Sequence, residues 1–201
     1  MSNGTGVNDN NGMQFAYQVP RYLTFEQFNI ICDYRLDWAQ LILWLRAYTN
    51  SRITNNPDLT AVTNRLYQGV PLSFYNSLQT FYGNVIAQRF SNLLSRFIST
   101  SFELTEEMIA RNTENVNAIT TELYSLSNET ASFLASINPY WSKNIWESLL
   151  NQTISLLLDG LTNILSGNYE LAIQIYDRLL NHAIVMGDYM ARGVMADYKI
   201  E

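Results

Sequence analysis

Few side chains in this sequence can catalyse or ligate, and most of those are carboxylates. Asp33 and Asp37 stand four residues apart, so on a helix they share a face. Two carboxyls held close raise one pKa of the pair, and the raised group can serve as a general acid. On an open surface the same pair is simply solvated. Asp177 and Asp188 are eleven residues apart, close to three helical turns, and again share a face. Arg35, Arg46 and Arg89 are the cations to pair with them. Asp33, Arg35, Asp37, Arg46, Asp177 and Asp188 are therefore the candidate polar cluster, with ion pairing favoured over catalysis. Glu103, Glu106 and Glu107 form an acidic run that reads as a solvated helix face.

The other reactive residue types are nearly missing. The chain has one histidine, His182, and one cysteine, Cys32. A structural zinc site and a disulfide scaffold are excluded on those counts. A Ser-His-Asp triad would have to use His182, which stands on a mainly apolar helix and reads as a surface or interface residue. A di-iron bundle needs two Glu-x-x-His pairs, and no glutamate stands three residues before His182. There is no glycine-rich phosphate loop and no His-Glu-x-x-His. Cys32, among Ile30, Ile31 and Tyr34, reads as a small buried apolar residue. The expectation is no catalytic residue, no metal and no cofactor.

Charge narrows the partners. Net charge is −6, and of the twelve basic residues only Lys143 and Lys199 are lysines, with the arginines scattered. Phosphate backbones and anionic membranes both require clustered basic residues, so neither is expected as a partner. No apolar run reaches transmembrane length. The opening residues lack the basic and apolar parts of a secretory signal. A cytoplasmic protein, or one enclosed in an assembled particle, is expected.

The elements that would position these residues are helical. Residues 1–14 are Asn, Gly, Ser and Asp with little to bury and read as a polar disordered tail. Residues 15–23, with Phe15, Tyr17 and Tyr22, read as an extended arm that packs on the bundle or on a partner. One helical domain should fill residues 24–201. Its first helix starts at the capping box Thr24-Phe-Glu-Gln27 and carries Phe28, Ile31, Trp38, Leu41, Ile42 and Leu45 inward, ending near Asn50. A short helix opens at Pro57 and runs to about Tyr67, where Gly69 and Pro71 break it. A second short helix covers 72–80. Long helices follow at about 83–111, with a bend near Ser99–Ser101, and at about 115–136. The next begins at the Ser142 cap, and the last runs from Tyr169 to about Asp197. Short linkers and the lack of alternating strand patterns make this an all-α, antiparallel up-down bundle of about five long helices.

Two features refine that picture. Phe90-Ser-Asn-Leu93-Leu94 with Ile98 echoes Trp146-Glu-Ser-Leu149-Leu150 with Ile154, which suggests two related helical hairpins. Ala183, Gly187 and Ala191 place small residues at four-residue spacing on the last helix, either for tight internal packing or as a dimer seam. Of the four tryptophans, Trp38, Trp44, Trp141 and Trp146, most should be core.

Several segments together carry a resemblance. They are Trp38-Ala-Gln-Leu-Ile-Leu-Trp44-Leu-Arg46, Tyr82-Gly83, the two Leu-Leu segments, Phe133 to Trp141 ending in Asn-Pro-Tyr-Trp, and Tyr169 to Asp177 with Met186-Gly-Asp188. Over roughly residues 35–195 the chain resembles a bacterial family of small all-helical proteins, many of them mislabelled acetylglutamate kinase. The resemblance implies a helical bundle and implies no activity. In that family's pattern a histidine follows the first tryptophan by three residues and each Leu-Leu pair by three. Here those positions hold Leu41, Phe97 and Thr153, and the family's acidic residue before Phe-Leu is Asn128. Three histidines on facing helices would make a metal or polar site; leucine and phenylalanine cannot.

The function expected from these residues is a non-enzymatic structural or assembly bundle that binds protein partners or itself, as part of a larger particle such as a viral or spore structure. The alternative is a bundle that binds a small molecule or metal through its aspartates and arginines. A hydrolase or transferase built on Asp33 and Asp37 is the third reading.

Overall fold

The computed structural model describes residues 22–200. The expected tail and the arm as far as Arg21, with Phe15 and Tyr17, lie outside them. The helices are α1 (Phe25–Thr54), α2 (Leu59–Asn64), α3 (Val70–Ala110), α4 (Thr113–Ile137), α5 (Lys143–Leu165) and α6 (Tyr169–Tyr198). There is no strand among the described residues, and the fold is the expected all-α bundle.

The start of α1 follows its capping box. The Gln27 amide donates to the Thr24 hydroxyl at 3.2 Å, and the Thr24 amide donates to the Gln27 side chain at 3.0 Å. The helix runs to Thr54, one turn past the expected end, and closes on Asn55 in the left-handed region.

Gly69 and Pro71 do not break the chain as expected. A π-helical turn over Arg65–Gly69 carries α2 directly into α3. Pro71 follows that π turn directly, where the backbone hydrogen bonding already departs from the regular α pattern. The break comes at Gly83, with φ 77° and ψ 171°, a conformation open essentially to glycine alone. It divides α3 into two arms, 70–82 and 84–110. The bend expected at Ser99–Ser101 is absent, and Ser101 donates its hydroxyl to the Phe97 carbonyl inside a regular helix. Ser142 precedes α5 as expected, but its side chain makes no capping bond.

Contacts between elements set the directions. Arg35 meets Asp188 and Gln27 meets the Ile200 carbonyl, so α1 and α6 are antiparallel. Gln40 meets Arg65 and Tyr34 meets the Ser77 carbonyl, so the π turn and the first arm of α3 run back along α1. Trp38 meets Phe90 and Arg52 meets Glu106, so the second arm runs with α1 again. The chain thus alternates up and down, and α6 packs against both α5 and α1.

Trp38 sits at the centre, 2% exposed. Its ring lies 5.0 Å from Phe74, 6.4 Å from Phe90 and 6.0 Å from Trp146, and its N–H points to the Met190 sulfur at 3.4 Å. The two echoed segments therefore supply equivalent neighbours to one residue, Phe90 from one hairpin and Trp146 from the other. Trp141 is also core, whereas Trp44 is half-buried with the Arg65 guanidinium 5.5 Å over its ring. Phe28, expected inward, is 53% exposed because it stands on the side of α1 away from the buried row Ile30, Tyr34 and Leu41.

The small-residue stripe of α6 is used inside the chain. Gly187 lies against the backbone of Arg35 and Tyr34, and Ala183 and Ala191 are buried. The stripe lets α6 approach α1 closely and is not free to form a dimer seam.

Candidate functional site

The carboxylates that sequence spacing paired, Asp33 and Asp37, do share one groove. It lies between the N-terminal half of α1 and the first arm of α3 and has a volume of about 530 Å³. Asp37 forms part of its floor and is 3% exposed, while Asp33, one turn earlier, is exposed. Ser73 and Ser77 stand four residues apart on the facing helix, so both hydroxyls reach the same carboxylate. Ser73 donates to one Asp37 oxygen, and Ser77 donates to the other at 2.7 Å. Tyr34 donates its hydroxyl to the Ser77 carbonyl at 3.4 Å.

Burial raises the Asp37 carboxyl above its ordinary value. The two serine hydroxyls oppose that by stabilising the anion, and the charge of Asp33 adds to it. Burial likewise pushes the Tyr34 hydroxyl well above its ordinary value. Among the described residues no Lys or Arg lines the groove. Each Asp37 oxygen keeps acceptor capacity beyond its one serine donor. The site is suited to holding a positive or hydrogen-bond-donating group. The serines are donors to a carboxylate with no histidine between, an arrangement that anchors a hydroxyl and does not turn it into a nucleophile.

The other members of the expected cluster lie elsewhere. Arg35 points to the opposite side of α1 and clasps Asp188 of α6 with two bonds of 2.6 and 2.9 Å. That is the ion pair expected from spacing, half-exposed on the arginine side. Arg46 stacks over the Tyr176 ring at 5.5 Å, and burial lowers its pKa. Asp177 is exposed and has no ion-pair partner among the described residues. Arg89 lies over the Phe133 ring at 4.8 Å. One candidate cluster is thus three separate places.

His182 is neither a surface nor an interface residue. It is buried between α5 and α6 with Nε2 2.8 Å from the Leu149 carbonyl, and burial lowers its pKa. Cys32 is half-buried. Among the described residues no three His, Cys, Asp or Glu side chains are grouped to hold a metal ion.

Leu41, Phe97 and Thr153, three positions singled out in the sequence, line one cavity between α1, α3, α4 and α5. It measures about 20 Å³, the space of about one water molecule. Thr153 turns its hydroxyl to the Leu149 carbonyl at 3.1 Å, and Ser127 on the wall has a buried hydroxyl without a protein partner. The point where they converge is apolar apart from Thr153, Ser127 and Thr130, and keeps only that small cavity.

Sequence reasoning missed the facing wall of the groove, Ser73, Asn76 and Ser77. Their signal was available: three small polar residues within one helical turn and a residue, following Pro71, on an otherwise apolar segment.

Comparison of the chain with family models, with curated proteins and with solved structures finds no match.

Proposed function

We propose that this chain is a non-enzymatic assembly or protein-interaction bundle. The observation that carries this reading is the apolar surface at the N-terminal end of α1. Tyr22 is 84% exposed, Phe25 80%, Leu23 58%, Leu36 55% and Phe28 53%. Scattered apolar residues are normal on a surface, but five large ones over fifteen positions at one end of a helix mark a contact surface. Aromatic residues of this kind are the usual anchors of protein interfaces. Asp37 and Asp33 beside them add a polar element that would orient a bound chain. No helix among the described residues is long and apolar enough to cross a membrane.

Native mass spectrometry of the purified chain, alone and after pull-down, tests the reading. A defined oligomer or a stoichiometric protein complex is expected. A monomer at high concentration that captures no protein would refute it, and a monomer carrying a small molecule would favour the aspartate-based binding alternative.

A further inference from the structure

We infer that the groove between α1 and the first arm of α3 receives residues 15–23 of a second copy of this chain, so that two copies exchange N-terminal arms. This rests on the interaction reading above and names its partner and its site.

Charge complementarity is the first argument. Among the described residues the groove carries Glu26, Asp33 and Asp37 and no basic residue. The sequence Phe-Ala-Tyr-Gln-Val-Pro-Arg-Tyr-Leu of residues 15–23 carries Arg21 and no carboxylate. Arg21 is also the only basic residue before Arg35. A guanidinium can bond both oxygens of a carboxylate, and Asp37 and Asp33 present such oxygens one turn apart. The groove walls between the acids are apolar, with Ile30, Leu36 and Phe81, and suit the aromatic and aliphatic residues that flank Arg21.

Length agrees. Phe25 to Asp37 is twelve residues of helix, about 18 Å. Nine extended residues span up to about 30 Å, enough to lie along the whole groove. Each arm has three aromatic residues, Phe15, Tyr17 and Tyr22, each able to bury about 150–250 Å². Six in two exchanged arms bury on the order of 1,200 Å², the lower bound of a stable interface.

The place where the described residues begin argues for a second copy over the chain's own arm. Phe25 and Glu26 form one end of the groove, so the chain enters α1 there. To lie in its own groove it would have to reverse within residues 22–24. Thr24 is extended, at φ −68° and ψ 162°, and is held by the capping box, while Tyr22 and Leu23 stand out from the surface. An exchange related by a two-fold axis fills both grooves with the same contact made twice.

The test uses the full chain. Sedimentation equilibrium is run on the wild type, R21E and D37N, with circular dichroism to check folding and with the free peptide FAYQVPRYL as competitor. The wild type should dimerise. R21E should raise the dissociation constant at least tenfold with an unchanged dichroism spectrum, as expected when a buried charge pair loses a partner. D37N should weaken the dimer in the same direction. Excess peptide should dissociate it, and the peptide with Arg replaced by Glu should not. A wild type that stays monomeric overturns the inference, as does a dimer indifferent to both R21E and the peptide. A monomer that forms a stoichiometric complex with another protein would leave the interaction reading standing and remove only the arm exchange.

Discussion

Replacing Gly187 by alanine should unfold the bundle more easily, although alanine is the better helix former. In a helix interior the change alone favours the folded state by about 1 kcal/mol. The space is not there to use it. A Cβ on Gly187 would stand 2.6 Å from the Arg35 Cα, 2.7 Å from the Arg35 nitrogen and 2.9 Å from the Tyr34 carbonyl carbon. Carbon atoms in contact sit about 3.5–4.0 Å apart. All three atoms are main chain of another helix, so no side chain can swing away. α1 and α6 must part by about 1 Å, which loosens the Trp38–Met190 contact and the Arg35–Asp188 pair beside it. Overpacking of this kind costs about 1–3 kcal/mol, and occasionally more. A backbone clash belongs at or above the top of that range, which leaves a net loss of about 2 kcal/mol. For a chain of this length that is a fall in Tm of about 4–8 °C. Gly160→Ala is the control. Its Cβ would meet only the Ile175 methyl at 3.7 Å, an ordinary contact, so the propensity gain of up to about 1 kcal/mol should appear as a Tm rise of about 2–4 °C. Urea and thermal unfolding followed by circular dichroism read both. Opposite signs support the close α1–α6 approach. A Gly187→Ala variant as stable as the wild type would show that the two helices are not packed as described.

Three further outcomes follow from the same structure. Gly83→Ala finds open space around its Cβ but an unfavourable backbone, so it should lower stability by about 1–3 kcal/mol in urea unfolding; no loss would mean the two arms of α3 turn by another route. Burial holds the Asp37 carboxyl above its ordinary 3.8, so its contribution to stability is full below that value and is lost as pH rises through the folded pKa, by about 1.4 kcal/mol per pH unit while it titrates. D37N should remove that slope, and parallel stability curves for wild type and variant across the acid range would contradict it. Asp188→Asn breaks only a partly exposed pair, so it should cost at most about 1 kcal/mol and less at high salt; a larger, salt-independent loss in thermal unfolding would show that the pair is more than a surface contact.

The fold was legible because its signals are redundant. Each long helix is written in an apolar stripe, and the Thr24 box and the Asn138-Pro139 stop fix two ends by local chemistry. The break between short and long helices was misplaced at Gly69 and Pro71 because a π turn has no sequence signature and a proline that follows one looks like a proline that ends a helix. Phe28 was placed inward because a large apolar side chain in the first turns was counted with the stripe, whereas the buried row runs through Ile30, Tyr34 and Leu41 on the other side of the helix. The candidate site was legible in halves. Spacing found Asp33 with Asp37 and Arg35 with Asp188, but it merged them, because residues two apart on α1 look adjacent in sequence and point to different helices. Ser73 and Ser77 are separated from Asp37 by some forty residues, and only the turn that follows α1 at Asn55 makes the segment that holds them run back along α1.

The position of Asp37 ties stability to the proposed role. Every other buried polar contact described above suits the isolated chain: Thr153 bonds back to its own helix, and His182 is set against a carbonyl. Asp37 does not. It is a carboxylate removed from water, opposed by Asp33, and supported only by two neutral hydroxyls. Leucine or asparagine there would fold with less penalty, since a buried charge without a counter-charge is the least favourable group a core can hold. A local conflict of this kind in an otherwise consistent sequence marks a functional position. The missing element is a cation. The described residues lining the groove supply none, and the apolar rim around it stands exposed on the same helix. An arginine carried in between aromatic residues resolves both at once: it neutralises Asp37 in a site already desolvated, where the attraction is stronger than at an open surface, and it covers Phe25 and Leu36. In the proposed arm exchange the unfavourable buried charge of Asp37 becomes a favourable contact.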